Sequence, residues 1–365
     1  MALSPEQIRA EFPVLERFAY LNAGTFGPLP RRTVEAMRGV EERALEQGRA
    51  GRAFFEEVVG DRERLREELA SLIGAAPESI ALTTSTTEGC NAVVAGLRLS
   101  PGDEVVTTDA EHPGLLGALR AWKLDVRAAR VQDRPPEDAL DALDAEITSR
   151  TRLIAVSHVL WSTGAVVPVA KLAGRGIPVL VDGAQAAGAI PVDVTELGCD
   201  FYTVSGQKWL CGPDATGALY VRPDRIGELE LSYPSYLSWE DVSTLEAWPN
   251  ARRFESVWTP AASVTGLLAS LAFAREVGEE RFARARSAAE RCREFLAERA
   301  EVVTAPAQAT LVSWRVEGDS AEAVDRLYEA GVIVRDMPGV GWLRASCGFW
   351  TSEDDLRRLV DALPA

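Results

Sequence analysis

At 365 residues, 47% apolar and 26% charged, the chain has enough material for one large buried core and a second, smaller one. Its 39 Lys and Arg against 55 Asp and Glu leave a formal net charge of −16, which argues against general binding to nucleic acid or to a membrane surface. No apolar run approaches the ~18–20 residues of a membrane span.

The first stretch, MALSPEQIRAEFPVLERF, lacks a basic segment leading into an apolar one, so no secretory signal is read there, and its pattern predicts a helix over 5–17. Seven short runs rich in Val, Ile and Thr then predict strands: SIALTT (79–84), DEVVTT (103–108), DVRAARV (125–131), RLIAVSH (152–158), IPVLVD (177–182), DFYTVS (200–205) and TGALYV (216–221). Helix-sized patterns separate most of them, over 88–99, 112–124 and 135–147. Strand–helix alternation with strands apolar on both faces implies an α/β domain with a mainly parallel seven-stranded sheet, whose carboxyl ends collect ligands. From 222 to 250 the texture turns to Pro, Ser and aromatic residues, and a continuous helical pattern covers 260–299. Short strands at 309–316 and 342–346 follow, among helices at 320–330 and 352–363. The expected division is an N-terminal segment, 1–18, packed on a small domain; a large domain, 19–232; and an interdomain helix with a small α+β C-terminal domain, 233–365.

Four polar clusters fall at strand ends. TTSTTEG (83–89) sets small hydroxylated residues at a helix N-terminus, which reads either as an S/T-x-x-E cap or as a phosphate cradle. DAEHPG (109–114) places His112 after the second strand, as a structural or a catalytic imidazole. VLVDGAQAAG (179–188) ends an apolar strand on Asp182, a turn cap or a carboxylate that needs a protonated partner. SGQKWLCGP (205–213) holds Lys208 in a Gly-bounded turn, where enclosure lowers an amine's pKa and suits it to forming a Schiff base. Together they supply a phosphate cradle, a ring-stacking imidazole, an acid for a pyridinium nitrogen and an amine for an aldehyde. Those are the parts that pyridoxal 5′-phosphate (PLP) requires. Five scattered cysteines without a CxxC pair, and only two histidines, speak against a metal site or a disulfide framework, and a reduced, cytoplasmic enzyme is expected.

These motifs, with YLNAGTFGPLP, SHVLWSTG, RRFES and LRASCGFWTSEDDLRRLVDAL, run almost end to end. By them the chain resembles class V of the fold-type I PLP enzymes, which holds cysteine desulfurases, isopenicillin N epimerase-like proteins and cysteine/cystine C–S lyases. The resemblance implies that Lys208 bonds the cofactor's aldehyde and later moves the proton at the substrate's Cα. It gives Asp182 the pyridine nitrogen, His112 the ring face and Gln185 the phenolic oxygen. Thr86, Ser205 and Gln207 would hold the phosphate with Thr87 as a helper, and Thr259 would reach a second subunit's site across a homodimer interface. Arg344 and Arg335 would take the amino acid's α-carboxylate, for which a planar guanidinium is suited. Asn22 and Trp161 would line the substrate.

Two departures bear on the reaction. Cysteine desulfurases carry a nucleophilic cysteine on the loop that here reads RDMPGVGW (335–342), and none is present; Cys347 lies beyond Arg344. The family's SHxSNxxG appears as SHVLWSTG, with Trp161 where asparagine is common. The missing cysteine speaks against a desulfurase alone, whereas Trp161, TDAEHPG and KWLCGP together look most like the C–S lyases, and two arginines nine residues apart also fit that branch. The reaction implied is β-elimination on cysteine or cystine, giving pyruvate, ammonia and sulfide or persulfide. The alternatives are an aminotransferase, a desulfurase or an epimerase acting on another amino acid, and, remotely, a non-catalytic protein of this fold.

Overall fold

The computed structural model describes residues 3–364, and all seven predicted strands form within one sheet. They are β1 (Ile80–Thr83), β2 (Glu104–Thr108), β3 (Asp125–Ala129), β4 (Thr151–Ser157), β5 (Val179–Asp182), β6 (Phe201–Ser205) and β7 (Gly217–Val221). Their spatial order is β1-β7-β6-β5-β4-β2-β3; β7 alone runs backwards, between β6 and β1. Alternate residues feed opposite faces. Leu82, Val106, Ile154, Val156, Val181 and Val204 enter one core, while Ala81, Val105, Leu153, Ala155, Leu180 and Phe201 enter the other. Helices Thr86–Gly96 and Pro113–Ala121 cover the second face; Arg52–Leu72, Ala139–Glu146 and Ala261–Val277 cover the first.

The small domain is an antiparallel sheet of β8 (Leu311–Arg315), β9 (Arg335–Met337) and β10 (Trp342–Ser346), in the order β8-β10-β9. Helices Glu280–Ala297, Ser320–Glu329 and Glu353–Asp361 back it. The sequence does not single out β9, whose three residues are too few for a periodic signal. Ala19–Tyr20 pairs in parallel with Val332–Ile333, so this stretch is hydrogen-bonded to the small domain.

Two helices expected to be continuous are broken. Segment 5–17 is α-helical only over Pro5–Ala10 and resumes as a 3-10 turn at Pro13–Glu16. A residue before proline is pushed out of the α region, and Phe12 sits at φ −114°, ψ 83°. Its apolar side chains, Ile8, Phe12 and Leu15, still pack together, against Trp209, Phe273 and Trp350 at the junction of the domains. The pattern over 260–299 divides at Gly278, whose φ of +82° is left-handed. The two halves face different cores: Val264 and Leu267 lie against the large sheet, Cys292 and Leu296 in the small domain. Periodicity alone does not show which core each half serves. No helix among the described residues is long and apolar enough to cross a membrane.

Candidate active site

The turn between β6 and β7 carries Lys208 on a fixed backbone. Gly206 N donates to Thr216 O (2.8 Å), Cys211 N to Lys208 O (3.0 Å) and Gly212 N to Gly206 O (2.9 Å). The neighbouring strand β5 ends on buried Asp182, whose Oδ1 accepts from Ala184 N (2.9 Å). Burial raises the pKa of Asp182 and lowers that of Lys208 to about 8, and the attraction between the two charges opposes both shifts.

Beyond β2, His112 caps the helix Pro113–Ala121. Its Nδ1 accepts from Gly114 N (3.0 Å), which assigns the proton to Nε2. Desolvation, then the charges of Lys208, Arg335 and Arg344, push its pKa down to about 4, so the ring is neutral at pH 7. The ring meets Trp161 edge-on at 5.0 Å. At the start of helix Thr86–Gly96, Ser85 Oγ accepts from Glu88 N (3.2 Å), and the Glu88 carboxylate accepts from Thr84 N (2.7 Å). This turn is capped, yet helix geometry still directs the N–H groups of Thr86 and Thr87 out of its end. A Cβ on Gly114 would lie 2.6 Å from Thr87 Oγ1 and 3.1 Å from His112 Nδ1, which places those two side chains together. Ser205 Oγ donates to Gln207 Oε1 (2.8 Å).

On the small-domain side, Arg335 of β9 lies directly opposite Arg344 of β10. Like charges so placed repel, and Arg344 is fully buried. Among the described residues the side-chain bonds of the pair go only to neutral groups: Arg344 Nη1 to Trp161 O (2.7 Å), and Arg344 Nη2 and Arg335 Nη1 to Thr25 Oγ1 (3.4 and 3.3 Å). Arg344 Nε has no partner among the described residues. Burial, with the charge of Arg335, holds Arg344 below its ordinary pKa. Two opposed cations, one of them fully buried, with no anion between them among the described residues, are costly, and the arrangement is suited to receiving one. The chain crosses it at Gly24, where a Cβ would stand 2.8 Å from Arg344 Nη2 and 3.0 Å from Gln185 Oε1. Gln185 Nε2 donates to Gly24 O (2.8 Å), and its Oε1 accepts from Trp209 Nε1 (2.9 Å). Asn22 Oδ1 is buried without a partner among the described residues, beside the backbone bridge from Asn22 to Ser346.

Lys208, Asp182, His112, Gln185, Trp161, Asn22 and both arginines are thus gathered around the junction of the two domains, with Thr86, Thr87, Ser205 and Gln207 along the sheet edge. Thr259 stands apart: it is buried just before helix Ala261–Val277 and makes no side-chain hydrogen bond to the others among the described residues. His158 turns into the core, where Nδ1 lies 3.0 Å from Tyr202 Oη. The five cysteines are buried and unpaired, and a hydrogen bond to Cys292, with burial, pushes the Cys347 thiol well up. Sequence reasoning passed over Thr25, a small neutral residue with no signal of its own. It also passed over Glu111, though a carboxylate directly before His112 at an apolar strand end was a usable sign.

These residues fit PLP: a buried carboxylate for the ring nitrogen, an amine for the aldehyde, an open helix end for the phosphate, and an unsatisfied buried guanidinium for an amino acid's carboxylate. Residues 19–359 match the family described as Aminotransferase class-V. Isopenicillin N epimerase of Streptomyces clavuligerus is 33% identical, covering 94% of each chain. A probable cysteine desulfurase of Methanothermobacter thermautotrophicus is 33% identical over 76% of this chain and 71% of its own. The solved structure of the cystine C–S lyase C-DES with its reaction product cysteine persulfide is 30% identical, with a TM-score of 0.90 over 96% of this chain and 98% of that one. Another C-DES structure holds glycine covalently linked to its PLP cofactor. The chain belongs to the aminotransferase class-V family and is a PLP-dependent enzyme of fold type I.

Proposed function

We propose that the enzyme is a C–S lyase performing β-elimination on cysteine or cystine, with release of pyruvate, ammonia and sulfide or persulfide. The observation that carries the proposal is a carboxylate-receiving site without a reachable thiol. All five cysteines are buried, and the turn joining β9 to β10, Pro338–Gly341, contains none. A desulfurase needs a thiolate to accept sulfur; without one, sulfur departs as a small molecule. The likeness to C-DES, described as a cystine C–S lyase, supports the same reading.

PLP, when bound, supplies an aldehyde for the substrate's amine and a ring that withdraws electrons from Cα. Arg344 and Arg335 would hold the α-carboxylate through paired N–H groups and so fix the direction of the Cα–H bond. Lys208, its pKa lowered to about 8 by enclosure, would take the proton from Cα. Asp182 would keep the ring nitrogen protonated, and neutral His112 would lie on the ring face. Gln185 would reach the phenolic oxygen with the N–H not bonded to Gly24. Thr86, Ser205 and Gln207, helped by Thr87, would bind the phosphate, while Asn22 and Trp161 would line the substrate.

Thr259 would complete the partner's site in a homodimer. Supporting an interface there, the neighbouring Trp258 stacks with Phe55 and Tyr236, both of them exposed. A cytoplasmic setting accords with five unpaired thiols.

Epimerisation at Cα is a second reading, favoured by 33% identity to isopenicillin N epimerase over 94% of each chain. Incubation with cystine, cysteine and a panel of other amino acids, measuring pyruvate, sulfide and keto acids separately and the Cα configuration of the recovered amino acid, distinguishes the two. Pyruvate from cystine or cysteine is expected. Keto acid from other substrates alone, or inversion at Cα without pyruvate, overturns the lyase proposal.

A further inference from the structure

We infer that Glu111 is a positioning residue whose carboxylate ties the loop bearing His112 to β4, the strand that pairs with the one bearing Asp182; this rests on placing those two side chains at the cofactor ring. Glu111 is buried and accepts from Thr108 Oγ1 (2.6 Å), Ser157 N (3.0 Å) and Ser157 Oγ (2.5 Å). Thr108 is the last residue of β2, and Ser157 the last of β4. Ser157 is the register partner of Asp182, and the next residue, His158, donates its N–H to Asp182 O (3.0 Å). In the other direction, His112 directly follows Glu111. One side chain thereby spans the ends of β2, which leads to the imidazole, and β4, whose backbone holds the end of β5 that carries the carboxylate.

A bland capping role does not explain why the residue is acidic. The groups facing it are the hydroxyls of Thr108 and Ser157, the Asp182 carboxyl from β5 and the Cys90 thiol from helix Thr86–Gly96. None is a cation, and burial pushes its pKa up to about 7, with Asp182 adding to the shift. A carboxyl in such a place is costly to bury. What it offers is acceptor capacity: two oxygens can take three donors from two strands at once, which no hydroxyl can do.

The test uses the holoenzyme. E111A should weaken PLP binding about tenfold, by analogy with the loss of other outer-shell partners. It should also lower the circular dichroism of the bound cofactor, which reports a fixed ring tilt. E111Q, still able to accept from Ser157 N, should recover most of both, and S157A should show a smaller loss of the same sign. L143A, a core truncation in helix Ala139–Glu146, should lower the thermal midpoint while leaving the dichroism per bound cofactor unchanged. The inference is overturned if E111A behaves like L143A, or if E111Q is impaired as much as E111A. Should E111A fail to fold, an unchanged signal in S157A overturns it. D182N separates this inference from its premise. If D182N leaves the cofactor spectrum unaltered, the ring assignment fails; if D182N alters it and E111A does not, only the role of Glu111 fails.

Discussion

Where the large sheet ends, buried polar groups are satisfied by the chain itself: Asp182 by Ala184 N, His112 by Gly114 N, Gln185 by Gly24 O and Trp209 Nε1. Across the site, on the β9–β10 hairpin, Arg344 and Arg335 share one threonine hydroxyl, and Arg344 Nε is bonded to nothing among the described residues. The first region is a preorganised bed, rigid because its groups sit at the ends of hydrogen-bonded strands. The second is electrostatically incomplete, and an anion would complete it. The function proposed above accordingly sets chemistry at the strand ends and substrate capture on the hairpin.

The sharpest way to break this comparison is K208A. The change should abolish the long-wavelength absorbance of the holoenzyme and reduce turnover by about 10⁴-fold or more. A mutant that keeps the band would remove the lysine from the large-domain bed. R344A comes next. Loss of a buried, charge-bearing contact is worth about 3 kcal/mol, so kcat/KM should fall ~100-fold, mainly through KM, and R344K should recover little because it lacks the planar fork. R335A, partly exposed, should cost about tenfold. An equal or larger effect from R335A would mean that burial does not rank the two arginines.

A pH series probes the bed alone, in cofactor-stripped protein. His112 and His158 have pKa values of about 4 against an ordinary 6.5, so between those values the unfolded chain binds more protons and stability rises with pH. Glu111, raised from 4.5 to about 7, acts the other way, because the folded chain keeps its proton longer. Asp182, also raised by burial, opposes the histidines as Glu111 does, so the informative quantity is a difference: from pH 4.5 to 6.5 the urea midpoint of E111Q should rise more steeply with pH than that of the parent. An E111Q slope equal to the parent's contradicts the raised pKa of Glu111. The smallest effect is expected from C347S, which should stay within about twofold of the parent activity, since a buried thiol far above its usual pKa carries no reactive thiolate. Alkylation of the native protein should correspondingly be slow.

Much of the large-domain side was legible in the sequence. Strand periodicity placed Asp182 at the end of β5 and Lys208 in the turn after β6, and a parallel sheet brings such ends to one edge. The hairpin was only half legible. Arg344 and Arg335 could be named, but not their direct opposition, which depends on the short Pro338–Gly341 turn and on a three-residue strand below the reach of any pattern. Nor could periodicity locate the break at Gly278, because both flanking helices carry an apolar face and the cores they serve are tertiary facts.

What the amino-acid sequence determined by itself is therefore local placement: which side chains stand at strand ends and in which turns. Backbone hydrogen bonding between near neighbours enforces those placements. Tertiary structure alone decided the environment of those side chains. Thr25 reaches the two arginines from 310 and 319 residues away. Glu111 finds Ser157 across 46 residues, and the Cys347 thiol is sealed against Cys292. Burial and charge proximity are set by contacts between distant segments, and short-range pattern carries no record of them.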